Sequence, residues 1–511
     1  MHPRNHAVTH PNKPALVMTE TGETVTYKEL DDRSNQIAHL FRSMELKRGD
    51  VIALMMENRP QILEVAWAAQ RSGLYLACIS TKLSTEDLSY ILRDSGAKLV
   101  ITSRPLIEKC RNSFAELQAV PTLSVGGATE FSKDWEACCE VFPASPIADE
   151  SHGSDLLYSS GTTGRPKGIK PFPIAGPIDQ TNGLVELGKA LYNMDFNTRF
   201  YSPAPLYHAA PLRWCMAINK FGGTIYVSDK FDPEAALAII EKYQITHAQW
   251  VPTHFYRLLQ LPESVRNKYD HSSLVTVFHA AAPCPPKIKR AMIEWWGPIV
   301  HEFYSGTECP GITTISTEEW LEKEGSVGRA ILGKVRICDE DGNELPAGEI
   351  GSVYFSDGPQ FEYLNDPEKT RKCHNRHGWA TLGDMGYLDE DGFLFLADRK
   401  DFMVISGGVN IYPQEIENCL LTNPAVADAA VFGIPDEEMG ERVVAIIVGS
   451  DQAPDNSTDV ALGQELEKYC LAKIGRIKTP RQFIFRNSVP RMETGKIQKK
   501  LLREMLINGT L

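Results

Sequence analysis

Apolar positions along the chain recur at two spacings, and the pattern changes twice. Near the start, "TYKE" at Thr26–Glu29 fits a helix-opening capping box. Behind it, Leu30, Ile37, Leu40, Phe41 and Met44 repeat at a helical interval. Gly49-Asp50 then turns the chain into the short apolar run "VIALMM". A second helical pattern covers roughly Ile62 to Arg71, and "AKLVIT" at Ala97–Thr102 reads as a buried strand. Alternating strands and helices predict an α/β protein with a mostly parallel sheet covered on both faces.

The same habit continues in "GTIYVS" (Gly223–Ser228), "HAQWVP" (His247–Pro252), "LVTVFHAAA" (Leu274–Ala282) and "IVHEFY" (Ile299–Tyr304). From Ser326 to Leu396 glycine-rich turn signals come often, as in "DEDGNELPAGEIG", which predicts a smaller β-rich unit. Beyond Arg399 the pattern becomes helix, turn, strand, with a further helix near Leu462–Ile474. A boundary is expected near Asp398–Phe402. It separates a large N-terminal domain (residues 1–398, the β-rich part about 326–398) from a small α+β domain (399–511). No internal repeat or low-complexity tract interrupts this order.

Composition sets outer limits. The 511 residues are 42% hydrophobic and 23% charged, ordinary globular values. A net charge of −13 argues against a general nucleic-acid or anionic-membrane binder. No run of about 18 apolar residues marks a membrane span. "MHPRNHAVTHPNKP" carries no apolar signal core, so a cytoplasmic protein is expected. Eleven cysteines, with no C-x-x-C pair, read as free thiols, most of them buried as Cys78 would be. Between Lys473 and Arg503 stand ten basic residues, expected mostly as a solvated face.

Chemistry concentrates in "YSSGTTGRPKG", Tyr158–Gly168. Its glycines let backbone N–H groups converge, and Ser and Thr hydroxyls add donors. Lys167 supplies a point charge and Arg165 a planar fork, so a polyphosphate is the natural guest. The Walker pattern is not met, because Pro166 precedes Lys167 and Gly168 follows it. An ordinary polar loop is the competing reading.

This loop resembles the signature of the adenylate-forming superfamily, which includes the AMP-forming acyl-coenzyme A ligases. Five further segments match in the expected order. The resemblance implies ATP contacts from Ser159, Ser160, Gly161, Thr162, Thr163, Gly164 and Lys167, with Thr163 also catalytic. In "YSGTE" it implies that Tyr304 stacks on adenine, Ser305 and Gly306 line it, Thr307 touches phosphate and Glu308 holds Mg²⁺. Ser305 stands where the family usually has glycine. "HAAAP" at His279–Pro283 is similar to the small-residue loop beside adenine, through Ala281, Ala282 and Pro283. Asp384 and Arg399, within "TLGDMGYLDEDGFLFLADRKD", resemble the ribose-gripping pair, and Asp401 falls at the hinge position. Ser406, Gly407 and Gly408 resemble the glycines that line the pantetheine tunnel. Lys496, in "PRMETGKIQKK", matches the adenylation lysine.

By the same resemblance ATP, Mg²⁺ and coenzyme A are the cofactors and co-substrates, and the small domain rotates about Asp401 between two half-reactions. "PLYHAAP" carries His208 where amino-acid-activating relatives carry an aspartate, which disfavours an amino-acid substrate. His208, flanked by Tyr207, is expected to line or gate the tunnel beside the carboxylate and to take part in catalysis. A hydrophobic acyl pocket is expected from Tyr207, His208, Trp214, Trp250, Phe278, His279 and Gly306. A fatty or bulky alicyclic acid is the first expectation. A cinnamate-like aryl acid, or loading of a carrier protein in place of coenzyme A, are the alternatives. No nucleic-acid partner or membrane span is expected, and assembly into a homo-oligomer is left open.

Overall fold

The computed structural model describes residues 2–116, 120–159, 165–172, 176–450, 459–492 and 495–511. They group into two compact units. One comprises residues 1–250, 261–278 and 360–371, and the other 251–260, 279–359 and 372–511.

The first unit is built as its sequence pattern requires. Five strands run parallel side by side in the order Thr122–Val125, Leu99–Ser103, Val51–Met55, Tyr75–Cys78 and Ser154–Asp155, and Lys133–Asp134 adds a sixth at one edge. The central strands are apolar almost throughout because helices cover a parallel sheet on both faces. The helix Thr85–Asp94 buries Leu88, Ile91 and Leu92 against Ala53, Met55 and Val100. The helix Tyr27–Ser43 opens with the expected capping box: Thr26 Oγ1 accepts the Glu29 N–H at 3.2 Å, and Glu29 Oε2 accepts the Thr26 N–H at 2.8 Å. A second parallel set joins Pro14–Met18, Thr224–Val227, Arg199–Ser202 and His247–Trp250. A third, antiparallel set pairs Lys167–Pro171 with Leu157–Ser159 on one side and Phe361–Tyr363 on the other.

In the second unit, seven antiparallel strands run from Val300–Tyr304 through Ile312–Ile315, Ser326–Leu332, Leu394–Arg399, Ala380–Leu388 and Gly351–Ser356 to Lys334–Cys338. This is the β-rich segment. The remainder of the unit is a mixed sheet dominated by the long hairpin Val426–Asp436 and Gly440–Gly449. Its alternation buries both faces. Ala429, Val431, Val443, Ala445 and Ile447 meet the helices Pro413–Leu421 and Asp459–Ile474. Ala430, Phe432, Ile434, Val444 and Ile446 meet Leu502 and Leu506 of the helix Lys499–Ile507. A period of two with apolar residues at both phases is the mark of a strand covered on two sides.

Several boundaries differ from expectation. The strand expected over Leu274–Ala282 spans only Thr276–His279, and Ala281 beyond it has φ 77°, which no strand allows. The one expected over His247–Pro252 ends at Trp250, because Pro252 opens the helix Pro252–Leu259. All eleven cysteines are free thiols, and Cys78 is buried. No helix of the described residues is long and apolar enough to cross a membrane.

Candidate active site

The β-rich sheet places two of the expected site residues directly opposite each other. Asp384 and Arg399 are cross-strand partners on Ala380–Leu388 and Leu394–Arg399, so their side chains leave the same face. Arg399 Nη1 lies 3.3 Å from Asp384 Oδ1, and the Tyr304 hydroxyl donates to Asp384 Oδ2 at 2.6 Å. Burial pushes the Asp384 carboxyl up, against the pull of Arg399. Arg399 is itself held above the ordinary arginine value, because Asp384 and its neighbours outweigh the cost of burial. Its Nε is buried and finds no hydrogen-bond acceptor among the described residues.

Tyr304 ends the strand Val300–Tyr304, and Glu308 follows four residues later in the turn. In this turn Ser305 spends its hydroxyl on the Gly311 carbonyl at 2.7 Å, so the serine found where glycine was expected braces its own loop. At Gly306 an added Cβ would come within 2.8 Å of Glu308 Oε2 and closer still to the Leu382 methyls, so those side-chain ends would have to move. Ala281 in the "HAAAP" loop and Cys309 after Glu308 both hold positive φ, at 77° and 50°, local strain of the kind that gathers at binding sites.

Lys496 joins this group from the far end of the sequence. As a residue it is exposed, yet the protein crowded around its ammonium, and the Arg399 guanidinium beside it, hold its pKa below that of a free lysine. Asp384 and Glu308 act on the same ammonium in the opposite direction. The loop is tight: Gly495 has φ 83°, and a Cβ there would sit 3.0 Å from Thr253 at the start of Pro252–Leu259. Two cations, two carboxylates and a phenol thus converge from three segments more than 80 residues apart in places. Such a set can take hydroxyl donors on Asp384 and a multiply charged anion on Arg399 and Lys496.

Other expected residues are placed as follows. Ser159 pairs with Lys167 across neighbouring antiparallel strands. Ser160, Gly161, Thr162, Thr163 and Gly164 lie outside the described residues. Arg165 is exposed and reaches Glu86 at 3.5 Å and the Tyr90 ring. His208 stands at the residue before the helix Ala209–Phe221 without a side-chain cap bond to it, with the Tyr207 ring 4.8 Å away. Trp214 and Phe278 are fully buried and pack at 4.8 Å, with Tyr192 stacked on Phe278 at 4.9 Å, while Trp250 meets Tyr201 at 5.7 Å. His279 is buried with Nε2 3.5 Å from Glu302, which Lys289 also contacts at 2.6 Å; burial holds the imidazole well below its usual value. Ala282 and Pro283 continue the loop, and Thr307 stands beside Glu308. Ser406, Gly407 and Gly408 form the turn of the hairpin Val404–Ile411, where a Cβ on Gly407 would strike Met439. Asp401 sits in a single helical turn, Lys400–Phe402.

The basic segment is mostly solvated, as expected: seven of its ten cations are exposed and only Lys499 is buried, while several find acidic partners. Lys499 is buried against Glu417 at 2.9 Å, Arg491 is bidentate to Asp428, and Lys478 holds Glu415 at 2.7 Å. What composition alone missed is that the acidic partners stand 60 or more residues upstream. The sequence also gave no sign that the Tyr304 hydroxyl would meet Asp384.

The model of the AMP-binding enzyme family matches residues 3–361, and that of the AMP-binding enzyme C-terminal domain matches residues 415–496. The chain belongs to this family. It is similar to the medium/long-chain-fatty-acid–CoA ligase FadD8 of Mycobacterium tuberculosis, at 31% identity over 98% of this chain and 88% of the relative. It is equally similar, at 31% identity over 96% of this chain and 95% of the relative, to a feruloyl-CoA synthase of Amycolatopsis. Among solved structures, ATP-bound MatB from Rhodopseudomonas palustris matches with a TM-score of 0.84 at 25% identity, covering 100% of both chains. This AMP-binding enzyme is an AMP-forming acid–CoA ligase.

Proposed function

We propose that the enzyme activates a hydrophobic carboxylic acid, fatty or bulky alicyclic, as acyl-AMP and passes the acyl group to coenzyme A. The observation that carries the reading is the convergence of Tyr304, Asp384, Arg399, Glu308 and Lys496 at one place. Asp384 and Arg399 would hold the ribose, a carboxylate accepting its O–H groups and the guanidinium donating in a fixed fork. Tyr304 would stack on adenine with its hydroxyl tethered to Asp384, beside the Ala281–Pro283 loop.

The first half-reaction brings two anions together. The acid's carboxylate oxygen attacks the α-phosphorus of ATP, the bond to the bridging oxygen breaks, and pyrophosphate leaves. Lys496 would hold its charge against the oxygens where negative charge grows, and Ser159, Thr163 and Lys167 would cradle the departing phosphates. Glu308 is a single hard carboxylate, which suits Mg²⁺ shared with phosphate oxygens; among the described residues no cluster of three or more such groups offers a self-sufficient metal cage. Bound there, Mg²⁺ would supply charge neutralisation on the phosphates. In the second half-reaction the thiol of coenzyme A attacks the acyl carbon and AMP leaves. For this the segment beyond Asp401 would rotate about that residue, withdrawing Lys496 and bringing Ser406–Gly408 toward the acyl carbon. His208 and Tyr207 would flank the tunnel to the acid, and Trp214, Trp250, Phe278, His279 and Gly306 would shape its apolar wall.

An aryl acid is the second reading, and the feruloyl-CoA synthase similarity favours it. The test is pyrophosphate release across a panel of medium- and long-chain fatty, alicyclic and cinnamate-type acids, with and without coenzyme A, followed by detection of the thioester. Turnover concentrated on fatty or alicyclic acids supports the first reading, and turnover concentrated on aryl acids replaces it. Release without thioester would point to a carrier-protein acceptor.

A further inference from the structure

Three buried charges meet at the join between Arg399 and the C-terminal segment. Asp398, Glu417 and Lys499 have side chains only 5%, 3% and 6% exposed. The Lys499 ammonium lies 2.9 Å from Glu417 Oε1 and 3.8 Å from Asp398 Oδ2, with the Phe402 ring 5.6 Å below it. Burial works against the charge on Lys499, yet the two carboxylates outweigh it and raise its pKa. Glu417 also accepts the Val431 N–H at 2.7 Å. Glu417 Oε1 thus serves both Lys499 and the backbone of the strand Val426–Asp436.

Asp398 has a second task. The helix Pro413–Leu421 opens at Tyr412, which gives it no side-chain cap. The Gln414 N–H, one of the donors that a helix start leaves open, instead bonds Asp398 Oδ2 at 2.8 Å. Asp398 Oδ1 accepts the Arg399 N–H at 2.7 Å. One carboxylate on the strand that carries Arg399 therefore holds both the first turn of a helix beyond Asp401 and the first residue of the helix Lys499–Ile507. Lys499 is three residues after Lys496, on the chain that returns from the lysine loop.

We propose that Asp398 is a positioning residue: a latch that caps Pro413–Leu421 and grips Lys499, setting Lys496 beside Asp384 and Glu308 for adenylation, and that opens before thioester formation. The inference rests on the two-step reading above. Rotation about Asp401 carries Gln414 and Lys499 away from Asp398, so both contacts break in the turnover cycle. Glu417 and Lys499 lie on the same side of Asp401 and stay together.

The experiment compares wild type with Asp398→Asn and Asp398→Ala in both half-reactions, using the best acid of the panel. Pyrophosphate release from ATP reports adenylation. Thioester formation from supplied acyl-AMP and coenzyme A reports the second step. Because misfolding lowers both rates together, the ratio of the two is the readout. The ratio of adenylation to thioester formation is expected to fall about 10-fold in Asp398→Asn and about 100-fold in Asp398→Ala, with thioester formation unchanged or faster. Lys499→Arg should keep the wild-type ratio, and Lys499→Gln should lower it. An unchanged ratio in the Asp398 variants, whether both rates persist or both fall, overturns the latch. Absence of acid-dependent pyrophosphate release in wild type would instead overturn the two-step reading beneath it.

Discussion

Lys496 is a cation that the surrounding protein makes easier to discharge. Burial and Arg399 lower its pKa, so it loses its proton at a lower pH than a free lysine does. The protonated form is the one that can meet a negative transition state. Adenylation should therefore fall as pH rises through this lowered value, and Lys496→Arg should move the fall to higher pH; pyrophosphate release against pH measures it. Lys496→Ala should cost adenylation about 100-fold or more while sparing thioester formation from supplied acyl-AMP, and equal losses in the two steps would remove Lys496 from its assigned role. His254 shows the opposite consequence of burial, on stability. Desolvation, with Arg257 nearby, holds its imidazole down to about 3. An unfolded chain takes up that proton from about pH 6.5, and the folded chain only near pH 3. Stability from this residue is thus full above pH 6.5 and is lost as pH falls across that window, by at most about 1.4 kcal/mol per unit. Urea midpoints at pH 7 and pH 5 should separate in wild type and separate less in His254→Gln, the remaining gap being left to other buried histidines such as His279.

At the scale of elements, antiparallel pairing does the positioning. Asp384 and Arg399 meet because Ala380–Leu388 and Leu394–Arg399 pair in that register, and a slip of one residue would send one of them to the other face. The neighbouring pair, Ile312–Ile315 with Ser326–Leu332, depends on one glycine. Gly328 has φ 89° where Ser326–Leu332 shifts register against Leu394–Arg399 on its other side, and a Cβ there would overlap the Thr314 carbonyl. Gly328→Ala should destabilise the protein by about 3 kcal/mol, read as a lowered urea midpoint. A variant as stable as wild type would mean that the sheet relaxes around the added methyl. Only the pairing shows why a glycine stands there.

For the molecule as a whole, nucleotide binding should register as stability. A non-hydrolysable ATP analogue at 100 times its dissociation constant should add about 2.7 kcal/mol to whichever unit holds it. Calorimetry would read the gain, and Asp384→Ala should abolish most of it. Loss of the gain in Asp384→Ala with retention in Asp398→Ala would separate the nucleotide grip from the latch.

The sequence by itself determined much of this protein. The helical and strand periods, the capping box at Thr26–Glu29 and the β-rich segment follow from local spacing, because backbone geometry imposes its period on whatever segment adopts it, while the adenylating motifs are legible only through their resemblance to a family. Motif residues such as Asp384, Arg399 and Lys496 could be named from one dimension. Their meeting could not be derived from spacing. That Tyr304 donates to Asp384, that Ser305 braces its own turn, and that Lys499 is buried while neighbouring lysines are solvated were decided by tertiary structure. Each depends on partners tens of residues away in sequence, and the free energy of a buried charge or hydroxyl is set by what it faces in space.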